Sequence, residues 1–379
     1  MKNIIKGIII FLLLPGVVFS KEWIPDRTKT EAETELGWLV APMPVNVEGI
    51  GFTVPIAGVF SNFYKTTDLL LVAPFIKGDI ESKLLSIYKL PLYQDSLFFT
   101  FNYYELLTGF RNYDRGIDSE ENDYYQTLEK TDSTTFRLQT QLWDQRFEFQ
   151  LGYSYGKADI QKIYDADGNY FSNIQSPERN WIDNIIGTQI DLTDNHFDPH
   201  QGFRLGLLHS STNYGPELLS DYAVNDLNAS FYFPFFKNDT LLFNYFQSQS
   251  VVTSSGTIDQ TMLGQKLGLG CDLENKQKLC ETAENRRLQY WLERNKQGKA
   301  SALGGLNRLR AYSYNRFFAK NSVNYTLEYR LNFSEKTAPI NWIFLGGVKT
   351  VLQTAFFYEA GGVSDDISKL NQNLRPSYG

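Results

Sequence analysis

Residues 324–333, NYTLEYRLNF, alternate without a break between polar and apolar side chains. Side chains of a β-strand point to opposite faces at every second residue, so this stretch predicts a strand with one apolar and one polar face. The apolar face carries Tyr325, Leu327, Tyr329, Leu331 and Phe333. The polar face carries Asn324, Thr326, Glu328, Arg330 and Asn332.

Other stretches repeat this pattern, most clearly residues 146–155, RFEFQLGYSY. Two architectures accommodate such strands: a soluble β-sandwich, whose apolar faces meet in a core, and a membrane β-barrel, whose apolar faces contact lipid. The connections favour the barrel because they alternate between short and long. The short ones are 143–145, 194–202 and 236–239, and the long ones are 157–181, 211–224 and 254–302. Short periplasmic turns and long outer loops produce this rhythm.

The composition is compatible with a barrel and excludes some other classes. Aromatic residues make up 15% of the chain, and the net charge is −7. A nucleic-acid-binding protein needs a basic surface, so we expect no nucleic-acid partner. A soluble, secreted, β-rich enzyme remains an alternative at this point.

The N-terminus has the pattern of a secretory signal peptide, with Lys2 and Lys6 before an apolar run that ends near Pro15. We expect residues 1–20 to be cleaved; a retained membrane anchor is the alternative. Residues 21–35 then form a short periplasmic segment, and the barrel occupies 36–379 with a lumen loop at 255–318.

We expect thirteen strands in total. They lie near 36–48, 50–60, 66–78, 81–91, 95–107, 133–143, 146–157, 184–193, 202–211, 226–236, 240–252, 321–334 and 350–362. Bacterial barrels close with an even number of strands. Because LRPSYG at 374–379 looks like the start of a fourteenth strand, we expect a barrel that is incomplete at its C-terminus, with about 13–14 strands present. A barrel that closes in an unusual way is the alternative.

After the eleventh strand comes a cationic, aromatic segment, residues 301–317, here called the tongue. Within it, LGGLNRLRAYSY (303–314) resembles the GG…(L/V)RG(Y/F) motif in the sixth outer loop of the Omp85 superfamily, which includes the BamA and TamA barrels and the bacterial surface antigen D15 family. DLTDNHFDPHQGFRL (191–205), NYTLEYR (324–330) and TAFFYEAGGV (354–363) resemble further motifs of that superfamily, in the same order. The resemblance implies an all-β, transmembrane antiparallel barrel of the sixteen-strand Omp85 type.

The resemblance also implies roles for individual residues. The tongue would fold into the lumen, and its motif would comprise Gly304, Gly305, Leu309, Arg310, Ala311 and Tyr312. Arg310 would pair with Glu328 and Glu359, since a buried arginine is costly unless it is paired. The alternative is an Arg310 on a solvated outer loop. Ala311 departs from the family, which has glycine there, and would be strained if the position required a positive φ.

We expect no catalytic residues, no metal and no cofactor. Cys271 and Cys280 have no nearby histidine, and a disulfide between them is the more plausible use in an exported protein. Residues 281–296 predict a short helix with Leu288, Trp291 and Leu292 on one side, either a lid over the barrel mouth or an ordinary loop helix.

By resemblance, the protein would be a monomeric barrel of the Gram-negative outer membrane that contacts lipid and helps to insert or translocate client outer-membrane or secreted proteins. Segment 21–35 is too short for the periplasmic POTRA domains that most members carry. A passive pore or structural surface antigen with the same fold is the second hypothesis.

Overall fold

The computed structural model describes most of the chain from residue 24 onward. The described residues are 24–27, 36–42, 45–47, 51–54, 56–62, 70–76, 81–94, 96–164, 170–171, 174, 178–214, 218–236, 239–270, 277–333, 340–348 and 352–379. The predicted signal peptide and Cys271 lie outside these ranges.

Nineteen strands and two α-helices make up the described regular structure, apart from a short 3₁₀ turn. The strands are β1 (Gly37–Pro42), β2 (Val45–Val47), β3 (Gly51–Thr53), β4 (Ile56–Ser61), β5 (Leu70–Ile76), β6 (Glu81–Tyr93), β7 (Leu97–Tyr113), β8 (Tyr124–Leu142), β9 (Phe147–Tyr164), β10 (Tyr170–Phe171), β11 (Arg179–Thr193), β12 (Gly202–Asn213), β13 (Asp221–Pro234), β14 (Thr240–Ser254), β15 (Asn321–Asn332), β16 (Ile340–Trp342), β17 (Leu345–Val348), β18 (Gln353–Ser364) and β19 (Arg375–Tyr378). The helices are α1 (Gln260–Leu267) and α2 (Gln277–Gln297).

All strands except β2 and β3 belong to one 17-stranded sheet in which each pairing is antiparallel. Long strands pair with their neighbours along the chain, from β4 to β9 and from β11 to β15, and β18 and β19 follow β15. At one edge, β1 pairs with both β4 and β17. Within the described residues β19 pairs with β18 and not with β1, so the sheet is not closed.

The outward face of the sheet is apolar and the inward face is polar. On β15, Leu327 is 49% exposed, while its neighbours Thr326 and Glu328 are buried. On β18, Phe356 and Tyr358 are more than half exposed, while Glu359 is fully buried. The same exposed apolar side recurs at Phe136, Leu138, Leu151, Tyr153, Ile186, Ile190, Leu207 and Phe243. A soluble protein would bury this face, so its position on the outside marks a sheet that spans a membrane.

The sheet curls round the tongue. The Gly116 N–H, in the loop between β7 and β8, donates to the Phe318 carbonyl at 3.0 Å. On the other side, the Arg308 guanidinium lies 3.4 Å from the ring centroid of Phe246 on β14. Since β7 and β14 are several strands apart in the sheet, only a curled sheet brings both to one segment. We call the enclosed space the bore.

Eleven of the thirteen predicted strands are present in the main sheet, and β19 is the beginning of a fourteenth. The first two predicted strands are each split, into β1 and β2 and into β3 and β4, and β2 and β3 form a separate two-stranded sheet. The main difference is that three strands are longer than the sequence predicts. β7 continues to Tyr113, β8 begins already at Tyr124, and β9 continues to Tyr164. These ends are rich in charged residues, so the apolar alternation stops while the backbone ladder continues.

The hairpin β16–β17 was also not predicted. Its strands are short and gain a partner only because β17 pairs with β1, which is distant in sequence. Within the described residues no helix combines the length and the apolarity needed to cross a membrane.

Candidate functional site: the tongue and its clamp

The tongue is a closed hairpin. Leu303 and Phe317 form a β-bridge, with N–H···O distances of 2.8 and 2.9 Å in the two directions. Gly304 and Gly305 both have a positive φ, +106° and +107°. A Cβ on Gly304 would lie 2.2 Å from the Ser313 carbonyl oxygen, so no other residue fits there.

Ala311 has ordinary backbone geometry, and the strain considered for it does not arise. The left-handed residues of the tongue, besides its glycines, are Leu309 and Asn315, with φ of +48° and +56°. The Ala311 N–H donates to the Ser377 hydroxyl on β19 at 2.9 Å. Alanine therefore suits the position, while Leu309 holds the unusual conformation through burial of its side chain.

A small apolar cluster anchors the tongue to the wall. Leu303, Leu309 and Phe317 pack with Ile117 and Val363 from the sheet and its loops. Gly361 on β18 makes this approach possible. A Cβ there would lie 2.9 Å from atoms of Leu303, Leu309 and Asn324. Gly361 therefore lets the tongue pack directly against the backbone of β18.

Arg310 lies between two carboxylates of the wall. Its Nη1 is 2.7 Å from Glu328 Oε2 on β15, and its Nε donates to Glu359 Oε1 on β18 at 3.2 Å. Its backbone N–H also donates to Glu359 Oε2 at 2.7 Å. The guanidinium stacks 3.5 Å from the ring centroid of Phe357. We call Arg310, Glu328 and Glu359 the clamp.

The carboxylates of the clamp have further partners. Glu359, which is fully buried, also accepts from the Thr326 hydroxyl at 3.3 Å. Glu328 accepts from Arg330 Nε at 2.7 Å. Two carboxylates and two arginines therefore form one network, in which each buried charge is offset by an opposite charge. The planar guanidinium fork can bridge the two strands; an ammonium group lacks this geometry.

Two other tongue arginines, which sequence reasoning missed, fix its flanks. The Arg316 Nη1 donates to the Ser119 hydroxyl at 2.6 Å, and its guanidinium lies 4.5 Å from the Tyr113 ring centroid. Arg308 stacks on Phe246. Burial lowers the pKa of both arginines, since desolvation disfavours the charged form. The spacing of Arg308 two residues before Arg310 was the available signal in the sequence. The partners of Arg308 and Arg316, Phe246 and Ser119, are distant in sequence and could not be predicted from it.

The helices α1 and α2 lie in the mouth of the bore above the tongue. Leu263 and Leu267 of α1 pack against Trp291 and Leu292 of α2. Arg294 of α2 donates to the hydroxyls of Tyr214 and Tyr222 on the wall. The helix predicted over 281–296 is present as part of α2, and Arg294 bonds it to the wall. Cys280, at its start, is buried and disulfide-bonded, while Cys271 lies outside the described residues.

A second polar cluster lies at the opposite end of the sheet, in the motif 191–205. The buried Asp191 Oδ2 lies 2.8 Å from Arg204 Nη2 and 3.0 Å from His196 Nδ1. Arg27, from the segment before β1, reaches the same oxygen at 3.0 Å. The sequence predicted the turn but not this cluster, because Arg27 and Asp191 are 164 residues apart.

The described residues contain no group of three or more His, Cys, Asp or Glu side chains placed to hold a metal ion. The clamp holds a tight hairpin against β15 and β18 through ion pairs and hydrogen bonds.

Comparison with known proteins gives matches among solved structures only. No protein-family profile and no curated protein sequence matches it. BamA from Haemophilus ducreyi lacking POTRA domains 1–3 is 13% identical, over 86% of this chain and 57% of that chain, at a TM-score of 0.44. CdiB from Escherichia coli is 11% identical, over 88% of this chain and 53% of that chain, at a TM-score of 0.47. CdiB from Acinetobacter baumannii is 12% identical, over 90% of this chain and 52% of that chain, at a TM-score of 0.44. The chain spans little more than half the length of these chains.

Proposed function

We propose that this protein is an Omp85-type β-barrel of the Gram-negative outer membrane that helps to insert or translocate client outer-membrane or secreted proteins. The observation that carries the proposal is the clamp, in which Arg310 joins the tongue to β15 and β18 at once. In this proposal the tongue braces the wall from inside, and the barrel acts on clients without a catalytic residue or cofactor.

The occupied bore favours client handling over passive diffusion. The tongue contacts the wall through the clamp and the Leu303 cluster, and α2 is bonded to the wall through Arg294. A diffusion pore requires an open, water-filled bore. Here the tongue and the two helices occupy that space, so a steady ion current is not what this arrangement favours.

The two expected kinds of partner are membrane lipid and client proteins. The apolar outer face would contact lipid, and a single curled sheet would act as a monomer. A client would be an unfolded chain with strands of its own, since unpaired backbone groups in lipid are costly and strand pairing removes that cost.

A reconstitution experiment tests the proposal. The purified chain is placed in liposomes, and the folding rate of an added, unfolded outer-membrane barrel is compared with that in empty liposomes. We expect faster folding with the wild-type chain and a loss of this gain in Arg310→Ala. An Asn307→Ala variant, altered at an exposed tongue residue, is the control and should keep the gain.

Conductance of the same liposomes tests the second hypothesis. If the chain leaves client folding unchanged while conducting ions steadily, it is a passive pore, and the proposal is wrong.

A further inference from the structure

A cavity of about 550 Å³ lies between α2, the tongue and the wall formed by β7, β8, β9 and β11. About half of the described residues that line it are aromatic, among them Trp181, Tyr290, Trp291 and Phe318. Such walls offer π-faces for stacking against a planar ring. The volume is in the range of pockets that take small molecules.

Four cations from four different segments line this cavity. They are Arg111 from β7, Arg179 from β11, Arg287 from α2 and Lys299 from the segment before the tongue. Arg179 Nη2 lies 2.9 Å from Glu129 Oε2 on β8. Glu129 is the one acidic residue among the described lining residues, so the lining carries an excess of positive charge.

The cations lie next to aromatic rings. The Arg179 guanidinium lies 5.4 Å from the Trp291 ring centroid, and Lys299 Nζ lies 4.5 Å from that of Phe318. Arg287 is only 2% exposed. Burial, together with the nearby Arg179, lowers the pKa of Arg287, so an added negative charge would offset both effects.

One buried donor in the lining has no acceptor. The indole N–H of Trp291 is buried, and among the described residues nothing accepts its hydrogen bond. Trp291 itself is 1% exposed. A buried N–H without a partner is costly, and a ligand oxygen in the cavity would satisfy it.

We propose that this cavity binds an aromatic carboxylate, whose ring stacks between the aromatic walls and whose carboxylate accepts from the cations and the indole N–H. Ring and charge are both required. A plain aliphatic anion would leave the π-faces unused, and a neutral ring would leave the positive charge unbalanced. The proposal is independent of client handling, since it concerns only the outer half of the bore.

The test is calorimetric titration of the full chain in detergent micelles with three probes: naphthoate, its neutral counterpart naphthylmethanol, and hexanoate. We expect saturable binding of naphthoate and binding about tenfold or more weaker for the other two, because a charge-assisted contact contributes on that order. Equal binding of naphthoate and naphthylmethanol would overturn the proposal, since it would indicate apolar partitioning alone. Absence of saturable naphthoate binding below the millimolar range would overturn it too, leaving a cavity that holds only water.

Variants assign the effect to the cavity. Lys299→Gln should weaken naphthoate binding about tenfold, whereas Lys296→Gln, which is exposed on α2 and pairs with Glu293, should not change it. Trp291→Phe keeps a ring and removes the N–H, so it should weaken binding several-fold without loss of the folded far-UV signal. If Lys296→Gln and Lys299→Gln behave alike, the site is elsewhere and the proposal fails. None of these readouts involves a client, so they are separate from the test of the proposed function.

Discussion

Arg310 and Glu359 are joined twice, since the backbone N–H of Arg310 donates to one carboxylate oxygen at 2.7 Å and its Nε donates to the other at 3.2 Å. This double contact fixes both the position of the tongue backbone and the direction of the side chain. Glu359 is fully buried, so its charge depends on Arg310 and on the Thr326 hydroxyl.

Removing the charge of Glu359 should therefore destabilise the protein strongly. We expect Glu359→Gln to reduce the free energy of unfolding by about 3 kcal/mol, because the buried carboxylate that pairs with Arg310 is removed. Thermal unfolding of the micelle-bound chain measures this. The control is Glu105→Gln, which removes the partner of two exposed lysines, Lys83 and Lys130, and should cost less than about 1 kcal/mol. Equal losses in the two variants would show that the clamp does not hold the tongue.

Gly361 should tolerate no side chain, because a Cβ there would meet Leu303, Leu309 and Asn324 at 2.9 Å. We expect Gly361→Ala to cost about 1–3 kcal/mol through overpacking and to push the tongue from the wall. Trypsin cleavage at the tongue arginines should then become faster. The control is Gly206→Ala, in which the nearest atom to the new Cβ, the Asn228 carbonyl oxygen, would lie 3.9 Å away. That variant should resist trypsin as the wild type does. Unchanged cleavage in Gly361→Ala would contradict the close packing.

The turn between β11 and β12 should be pH-dependent through His200. The Asp198 carboxylate, 3.5 Å from His200 Nε2, raises the pKa of His200 despite its partial burial. A group with a raised folded pKa stabilises below its unfolded pKa, about 6.5, and this contribution is lost as pH rises through the folded pKa. We expect His200→Gln to lower the melting temperature more at about pH 5 than at about pH 8.5.

The control for this effect is His209→Gln, since His209 contacts Asn225 rather than a carboxylate. A difference between wild type and His200→Gln that does not change with pH would rule out the Asp198 pair as its cause.

The segment that precedes β1 should be held in place by Arg27. Its Nη1 donates to the Asp191 carbonyl and its Nη2 to the Asp191 carboxylate, both at 3.0 Å. We expect Arg27→Gln to speed hydrogen exchange at residues 24–27 and to cost about 1 kcal/mol, since Arg204 and His196 still balance Asp191. Asp26→Asn, at an exposed neighbour, should leave exchange unchanged. Rapid exchange at 24–27 already in the wild type would contradict the contact.

The alternation in stretches such as 324–333 and 146–155 was enough to predict the strands, since side-chain direction in a strand depends only on position along the chain. The same rule placed Glu328 on the polar face. The resemblance of 303–314, 324–330 and 354–363 to known motifs predicted that Arg310, Glu328 and Glu359 come together.

Only the tertiary structure decided which residues meet across the bore. Arg27 with Asp191, Arg316 with Ser119, and Arg179 with Trp291 lie far apart in sequence and meet because the sheet curls. Likewise, the pairing of β17 with β1 and the ordinary conformation of Ala311 depend on neighbours that no local pattern specifies. Local periodicity sets which face a side chain takes, whereas the curvature and register of the whole sheet set what that face contacts.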